Sequence, residues 1–417
     1  MVKRASGGSE TEADGSGVGW RLWARITLLG LAGLLGLAFW LGPRLVAFHL
    51  NPVLPTESDG VDKAAADLHE SLIVADLHTD ALLWDWSLLD RRGAGHVDLP
   101  RLVEGRVAVQ AFTVVTQVPR GMNLESNTDD SDLIGPLAVL QLWPPRTWSG
   151  GLLDRALHQA DKLRRAAADS GGRLAIVTTR DELDAFLAAR APGEAMVAGL
   201  LGLEGAHALE GDPQNVDVLF EAGFRMIGLT HFFDNEVGGS AHGAEKGGLT
   251  GMGRQALDRM ETLGMLVDLA HASPALIADV AGRATRPVVV SHTGVRGTCP
   301  NARNLEDAAV EAIAATGGVI GIGLWPEAVC GETAADWARA VRYTVDLVGA
   351  GHVSLGSDWD GAVPAIVDAA GTARLTAALL DAGLGPDEIA GVMGGNAIRV
   401  LSAVLPAGPA RRARTPP

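Results

Sequence analysis

Residues 71–80 read SLIVADLHTD. The run is aliphatic through Leu72, Ile73, Val74, Ala75 and Leu77, then closes on His78, Thr79 and Asp80. A stretch this apolar suits a strand buried on both faces, the condition of a parallel sheet. Seven further runs share the pattern: RVAVQAFTVV (106–115), MVAGLLGLE (196–204), RMIGLTH (225–231), MLVDLAH (265–271), PVVVSH (287–292), GVIGIGL (318–324) and VSLGSD (353–358). Helical patterns lie between them, for example at 152–170, 253–264, 305–318 and 335–351, several ending in the glycine that caps helices. Strand-like runs alternating with helices predict an α/β protein built as a (β/α)8 TIM-like barrel. No Gly-x-Gly-x-x-Gly or Walker loop follows a strand, which disfavours a nucleotide-binding open sheet.

The ends of these runs carry the chemistry. The first ends in His78 and Asp80, and others end in Glu204, His231, His271, His292 and Asp358. In a parallel barrel all such ends share one face, where barrel active sites are built. His78 and Asp80 are two residues apart, so on a strand both point to one side and can grip one metal. Glu204 closes a dry run; a buried carboxylate is costly unless it is paired or on a metal, a helix cap or salt bridge being the plainer alternative. Neutral imidazoles such as His271 and His292 suit zinc. His231 is assigned to substrate binding, with metal ligation as its alternative. Asp268 is a supporting acid, and His207 is left open. His49, His69, His96, His158, His242 and His352 are read as structural or exposed.

Residues 26–43, ITLLGLAGLLGLAFWLGP, hold no charge. Eighteen helical residues reach ~27 Å, enough for a ~30 Å hydrocarbon core. Trp20 and Trp23 precede the stretch and Trp40 lies near its end, where interfacial aromatics belong. Lys3, Arg4, Arg21 and Arg25 precede it and Arg44 follows closely, which predicts a cytoplasmic N-terminus and a catalytic domain on the outer, periplasmic or extracellular side. The run is longer than the ~7–15 apolar residues of a cleaved signal, and RLVAFHLNP after it offers no small-residue cleavage site. The predicted organisation is a disordered cytoplasmic tail (1–19), a transmembrane anchor (20–44), a linker (45–60), a barrel domain (61–405) and a disordered tail (406–417).

The chain holds 34 Lys and Arg against 50 Asp and Glu, a net charge of −16, which argues against a nucleic-acid partner. Its two cysteines, Cys299 and Cys330, form no Cys-x-x-Cys pair, so thiolate zinc is disfavoured and a single disulfide stays open.

Taken together, DLHTD (76–80), GLEGAH (202–207), RMIGLTHFFDN (225–235), GGLTGMGRQALDRMETLGMLVDLAHAS (247–273), VVVSHTGVRGTCPNARNLED (288–307), GSDWDG (356–361) and GGNAIRVL (394–401) resemble the membrane dipeptidase (renal dipeptidase) family, metallopeptidases on amidohydrolase-like barrels. The resemblance spans about residues 70–402. It implies two zinc ions per chain, with His78 and Asp80 on one, His271 and His292 on the other, and Glu204 bridging. It implies hydrolysis of dipeptides by a zinc-shared hydroxide, His231 contacting the substrate and its tetrahedral intermediate. Arg303 would pair with the substrate carboxylate, and Asp358 would be the catalytic carboxylate, with Asp360 the competing choice. Trp359 between the two aspartates departs mildly from the family pattern, and Cys299 has no assigned partner. The alternative activity is deacylation of N-acyl-(D-)amino acids or a related amide hydrolysis on the same metals. A receptor without catalysis would require missing ligands, yet all five are present. Homodimerisation stays open.

Overall fold

The computed structural model describes residues 16–55, 60–190 and 195–408, with side chains from Trp20 onward. Of the tails predicted as disordered (1–19 and 406–417), residues 1–15 and 409–417 lie outside the described residues, as do 56–59 of the linker.

All eight apolar runs are strands: β1 (Val74–Thr79), β2 (Val107–Val115), β4 (Val197–Glu204), β5 (Phe224–Gly228), β6 (Leu266–Asp268), β7 (Val289–Thr293), β8 (Val319–Ile322) and β9 (Val353–Leu355). Every residue in them is buried, which is why the runs read as aliphatic rather than alternating. They pair in parallel in the order β2-β1-β9-β8-β7-β6-β5-β4, and β2 pairs with β4 from Val109↔Ala198 to Val115↔Glu204 to close the barrel. One further strand among the described residues, β3 (Leu174–Ile176), pairs in parallel with the start of β4, Val197–Gly199. It has no counterpart among the eight runs because it is three residues long and only its first is fully buried, so burial barely marks its composition.

The C-terminal helix Asn396–Val404 sends Ala397, Val400, Leu401 and Val404 against Ala75, Leu77, Val109 and Leu200 of the barrel. Its approach depends on Gly394, where a Cβ would lie 2.2 Å from the Ile73 carbonyl oxygen.

The N-terminal helix, α1, runs Ser16–Leu50 and is long and apolar enough to cross a membrane. Residues 16–19, read as tail, are its first turn, since propagation outward from a formed helix costs far less than nucleation. Residues 45–50, read as linker, also belong to it. Pro43, Ala47 and Asn51 recur every fourth residue on one face and are buried, so packing prolongs the helix past its proline. Ala47 sits among Leu83, Trp84, Val115, Ile134 and Trp143.

Candidate metal centre and active-site cavity

Strand ends and the loops just beyond them place the site. His78 and His292 lie within β1 and β7, and Glu204 is the last residue of β4. Asp80 follows β1 by one residue, off the strand at ψ 25°, yet its Oδ1 stays 3.5 Å from His78 Nε2. His231, His271 and Asp358 were expected as strand ends, but each stands three residues beyond its strand. The backbone must turn there to aim the side chains. His271 and Asp358 adopt φ of +61° and +60°, a left-handed conformation costing ~1–2 kcal/mol in a side-chain-bearing residue. The surrounding packing sustains that strain.

The ligand-type atoms converge. Glu204 Oε1 lies 3.2 Å from His271 Nε2, 3.4 Å from His292 Nε2 and 3.7 Å from His78 Nε2. His271 Nε2 and His292 Nε2 are 3.1 Å apart. Donors ~2.0–2.1 Å from a tetrahedral zinc sit ~3.3–3.4 Å from one another, so these spacings fit a shared cation. Three overlapping triplets have this compactness: His78, Asp80 and Glu204; Glu204, His271 and His292; and His78, His292 and Asp358.

The tautomers are determined by one serine. Ser291 Oγ donates its only hydrogen to Asp268 Oδ2 (2.6 Å), and Asp268 Oδ1 accepts from the Ser291 amide (2.8 Å). The lone pairs of Oγ then face His78 Nδ1 (3.1 Å) and His292 Nδ1 (2.9 Å). Each imidazole then donates from Nδ1, which leaves Nε2, on the side of Glu204, as the atom that would ligate a cation once free of its own proton. Sequence reasoning passed over Ser291, which joins both imidazoles to Asp268; its adjacency to His292 is the one signal it offers. Asp268 takes the supporting role expected of it. Thr113, also unforeseen, holds Asp80 Oδ1 at 2.7 Å.

Burial and neighbouring charge set the electrostatics. Burial pushes Glu204 well above the usual carboxylate range, and Asp80 adds to the shift. Burial also raises Asp358 to about 7, against the pull of His78 and with the push of Asp80. Burial opposes charge on His78, but Asp80 and Glu204 outweigh it and lift the imidazole to about 10. A pocket of carboxylates this dry calls for a cation. Burial lowers His231, His271 and His292 well below the ordinary value, the neutral form a metal ligand needs.

A cavity of about 670 Å³ opens over this cluster, with Asp80, Glu204, His231, His271, His292, Arg303 and Asp358 in its wall. His231 Nε2 is 3.4 Å from Glu204 Oε2. Arg303 is 6% exposed, donates to the His292 carbonyl at 2.8 Å and stacks over Trp325 at 5.3 Å. Asp358 and Asp360 are separated by their surroundings. Asp358 Oδ1 faces His78 Nε2 at 4.0 Å, whereas the Asp360 carboxylate accepts from the amides of His96 (2.6 Å) and Val97 (3.2 Å), outside the cavity wall. His207 is likewise turned away, its Nε2 2.9 Å from Thr116 Oγ1. His96 and His242 are structural as expected, but wholly buried. The ring of His242 lies 5.3 Å from that of His271. Cys299 and Cys330 form a disulfide, giving Cys299 the partner that the sequence left open.

Known proteins carry the same arrangement of chain. Residues 62–412 match the membrane dipeptidase family, peptidase family M19. Dipeptidase aclJ of Aspergillus oryzae is 31% identical over 321 residues, covering 74% of this chain and 70% of its own. Dipeptidase 3 of Rattus norvegicus is 28% identical over 354 residues, covering 78% of this chain and 66% of its own. Among solved structures, dipeptidase AC, an M19 metallopeptidase, superposes with a TM-score of 0.66 at 23% identity, covering 81% of this chain and 100% of its own. A metallopeptidase from Rhodobacter sphaeroides, liganded with a phosphinate mimic of the dipeptide L-Ala-D-Ala, gives 0.65 at 24% identity over 80% of this chain and 99% of its own. The chain belongs to the membrane dipeptidase family of metallopeptidases.

Proposed function

We propose that this dipeptidase is a dizinc enzyme held in the membrane by α1, its barrel on the outer side. The observation that carries the metal assignment is the pair of ligand triplets sharing Glu204 at tetrahedral spacing. His78 and Asp80 would hold one zinc, His271 and His292 the other, and Glu204 both. Zinc supplies Lewis-acid polarisation of a carbonyl and acidifies a bound water toward pKa ~7.

The chain's own residues do the rest. Arg303 takes the free carboxylate of the dipeptide in a fork-shaped pair, which excludes longer chains whose carboxylate lies elsewhere. His231 Nε2 donates to the carbonyl oxygen as negative charge builds there. Asp358 accepts a proton on its carboxylate and delivers it to the leaving amine. A disulfide supports the outer-side topology, since such bonds persist in oxidising compartments.

The test uses the full chain in detergent. Elemental analysis is expected to give two zinc ions per chain, and L-Ala-Gly hydrolysis is expected to stop with chelator and return with zinc. Hydrolysis of N-acyl-amino acids but not of dipeptides refutes the substrate assignment, and full activity at zero metal refutes the zinc assignment.

A further inference from the structure

The apolar half of the cavity is built partly by α1. Val46 and Leu50, four residues apart on one face of that helix, line the cavity together with Met122, Leu133, Ile134 and Leu137. The same cavity wall carries the charged and imidazole groups Asp80, Glu204, His231, His271, His292 and Arg303. The space of about 670 Å³ is that of a pocket for a sizeable apolar ligand, well beyond what the backbone of a dipeptide fills.

Two observations tie this wall to the chemistry and to the lipid. First, the segment leaving α1 is hydrogen-bonded to the loop that carries Asp358. Asn51 Oδ1 accepts from the Ala362 amide (2.9 Å), Pro52 O accepts from Ala365 N (3.0 Å), and Leu54 N donates to Ala365 O (2.9 Å). Second, exposed apolar side chains gather in the segment that supplies part of that wall. Beyond Val53, four of the six exposed large hydrophobics among the described residues (Met122, Leu133, Leu142 and Trp148) fall within 122–148. That segment holds the short helix Ile134–Leu140, whose Leu140 packs against Gly42 of α1. Val46 and Leu50 follow the uncharged stretch by only ~5 and ~10 Å of helix rise. A patch of this kind beside a bilayer is favourable, since lipid covers what water would otherwise wet.

Building on the dipeptidase reading above, we infer that the last two turns of α1 are a specificity wall, and that the cavity selects dipeptides bearing a long apolar side chain at the lipid surface. The polar end holds the peptide bond and carboxylate, and the apolar end buries the chain. Each methylene removed from water favours binding, so several together give a preference on the order of 10–100-fold in kcat/KM.

The experiment compares L-Ala-Gly with two amphiphilic dipeptides, L-2-aminodecanoyl-glycine and glycyl-L-2-aminodecanoate, on the full chain in phosphatidylcholine nanodiscs. The expected result is at least tenfold higher kcat/KM for one amphiphile over L-Ala-Gly. That ratio should collapse about tenfold in the Val46→Asn/Leu50→Asn double variant. It should persist in Leu142→Asn, which alters the exposed patch without touching the cavity wall. A ratio near one in the unaltered protein overturns the inference, as does a high ratio that the double variant leaves in place. If no dipeptide is cleaved, the dipeptidase reading itself fails and this inference with it, a distinguishable outcome. Hydrolysis of L-Ala-Gly by the double variant reports that the barrel has folded.

Discussion

Replacing Cys299 and Cys330 together by serine would cut a covalent tie between two walls of the cavity. Cys299 lies in the loop after β7 that carries Arg303, and Cys330 caps the short helix Pro326–Val329 that follows Trp325. The two cysteines are 31 residues apart in sequence. Closing a loop of that length removes ~3.7 kcal/mol of unfolded-state entropy at 25 °C on the chain-entropy relation. Unfolding entropy of ~2.1 cal/mol/K per residue, taken over matched residues 62–412, converts this to a fall of about 5 °C in Tm. Calorimetry of the full chain in detergent reads it directly. The double variant avoids the mispairing that a lone thiol invites.

Function offers a second reading. Arg303 stacks over Trp325 at 5.3 Å, so loosening either wall should raise KM for dipeptides while leaving kcat nearly unchanged. Asn304 limits the effect, because its side-chain amide donates to Cys299 O (2.8 Å) and Ala328 O (3.0 Å) across the same gap. A Tm within 1 °C of the parent would refute the entropic argument. A lowered Tm with unmoved KM would show that the tie stabilises the barrel without positioning Arg303.

Two further perturbations test the site and its surroundings. Ser291→Ala removes the acceptor shared by His78 and His292 and should weaken zinc affinity about 10–100-fold, measured by competition with a chelating dye; unchanged affinity would mean the tautomers are set elsewhere. His69 is buried and bonded to Thr376 at 2.8 Å, and burial holds its pKa down to about 4 against 6.5. Its neutral form is therefore favoured by folding: the contribution is full above pH 6.5 and is lost as pH falls toward 4. At pH 4.5 the loss is about 2–3 kcal/mol, so His69→Asn should lose about that much less stability than the parent between pH 7 and 4.5 in urea titrations. Equal losses would count against it.

What could be read from the chain and what could not differ for a physical reason. Burial on both faces leaves a mark in composition, so all eight barrel strands were legible as aliphatic runs, and the convergence of His78, Glu204 and His292 as polar residues that close three of them. Loop conformation leaves no such mark. His231, His271 and Asp358 were read as strand ends but stand three residues beyond their strands, and nothing in LAH or GSD announces the φ near +60° of His271 and Asp358. The choice between Asp358 and Asp360 likewise turns on amides contributed by His96 and Val97, more than 260 residues away in sequence. Ser291 has no pattern at all; its importance exists only once β1 and β7 bring two imidazoles to one hydroxyl.

The end of α1 is the most instructive case. Hydropathy marked a boundary at Pro43 and Arg44, and proline ordinarily justifies it. Yet hydropathy reports only what a residue would do in lipid or water, and Pro43, Ala47 and Asn51 face neither. Ala47 packs among Leu83, Trp84 and Val115, and Asn51 bonds to Ala362 beside the barrel. That packing carries Val46 and Leu50 to the cavity, so the segment that sequence reasoning treats as a tether is, in the folded chain, part of the wall that also holds Asp80, Glu204, His271 and His292.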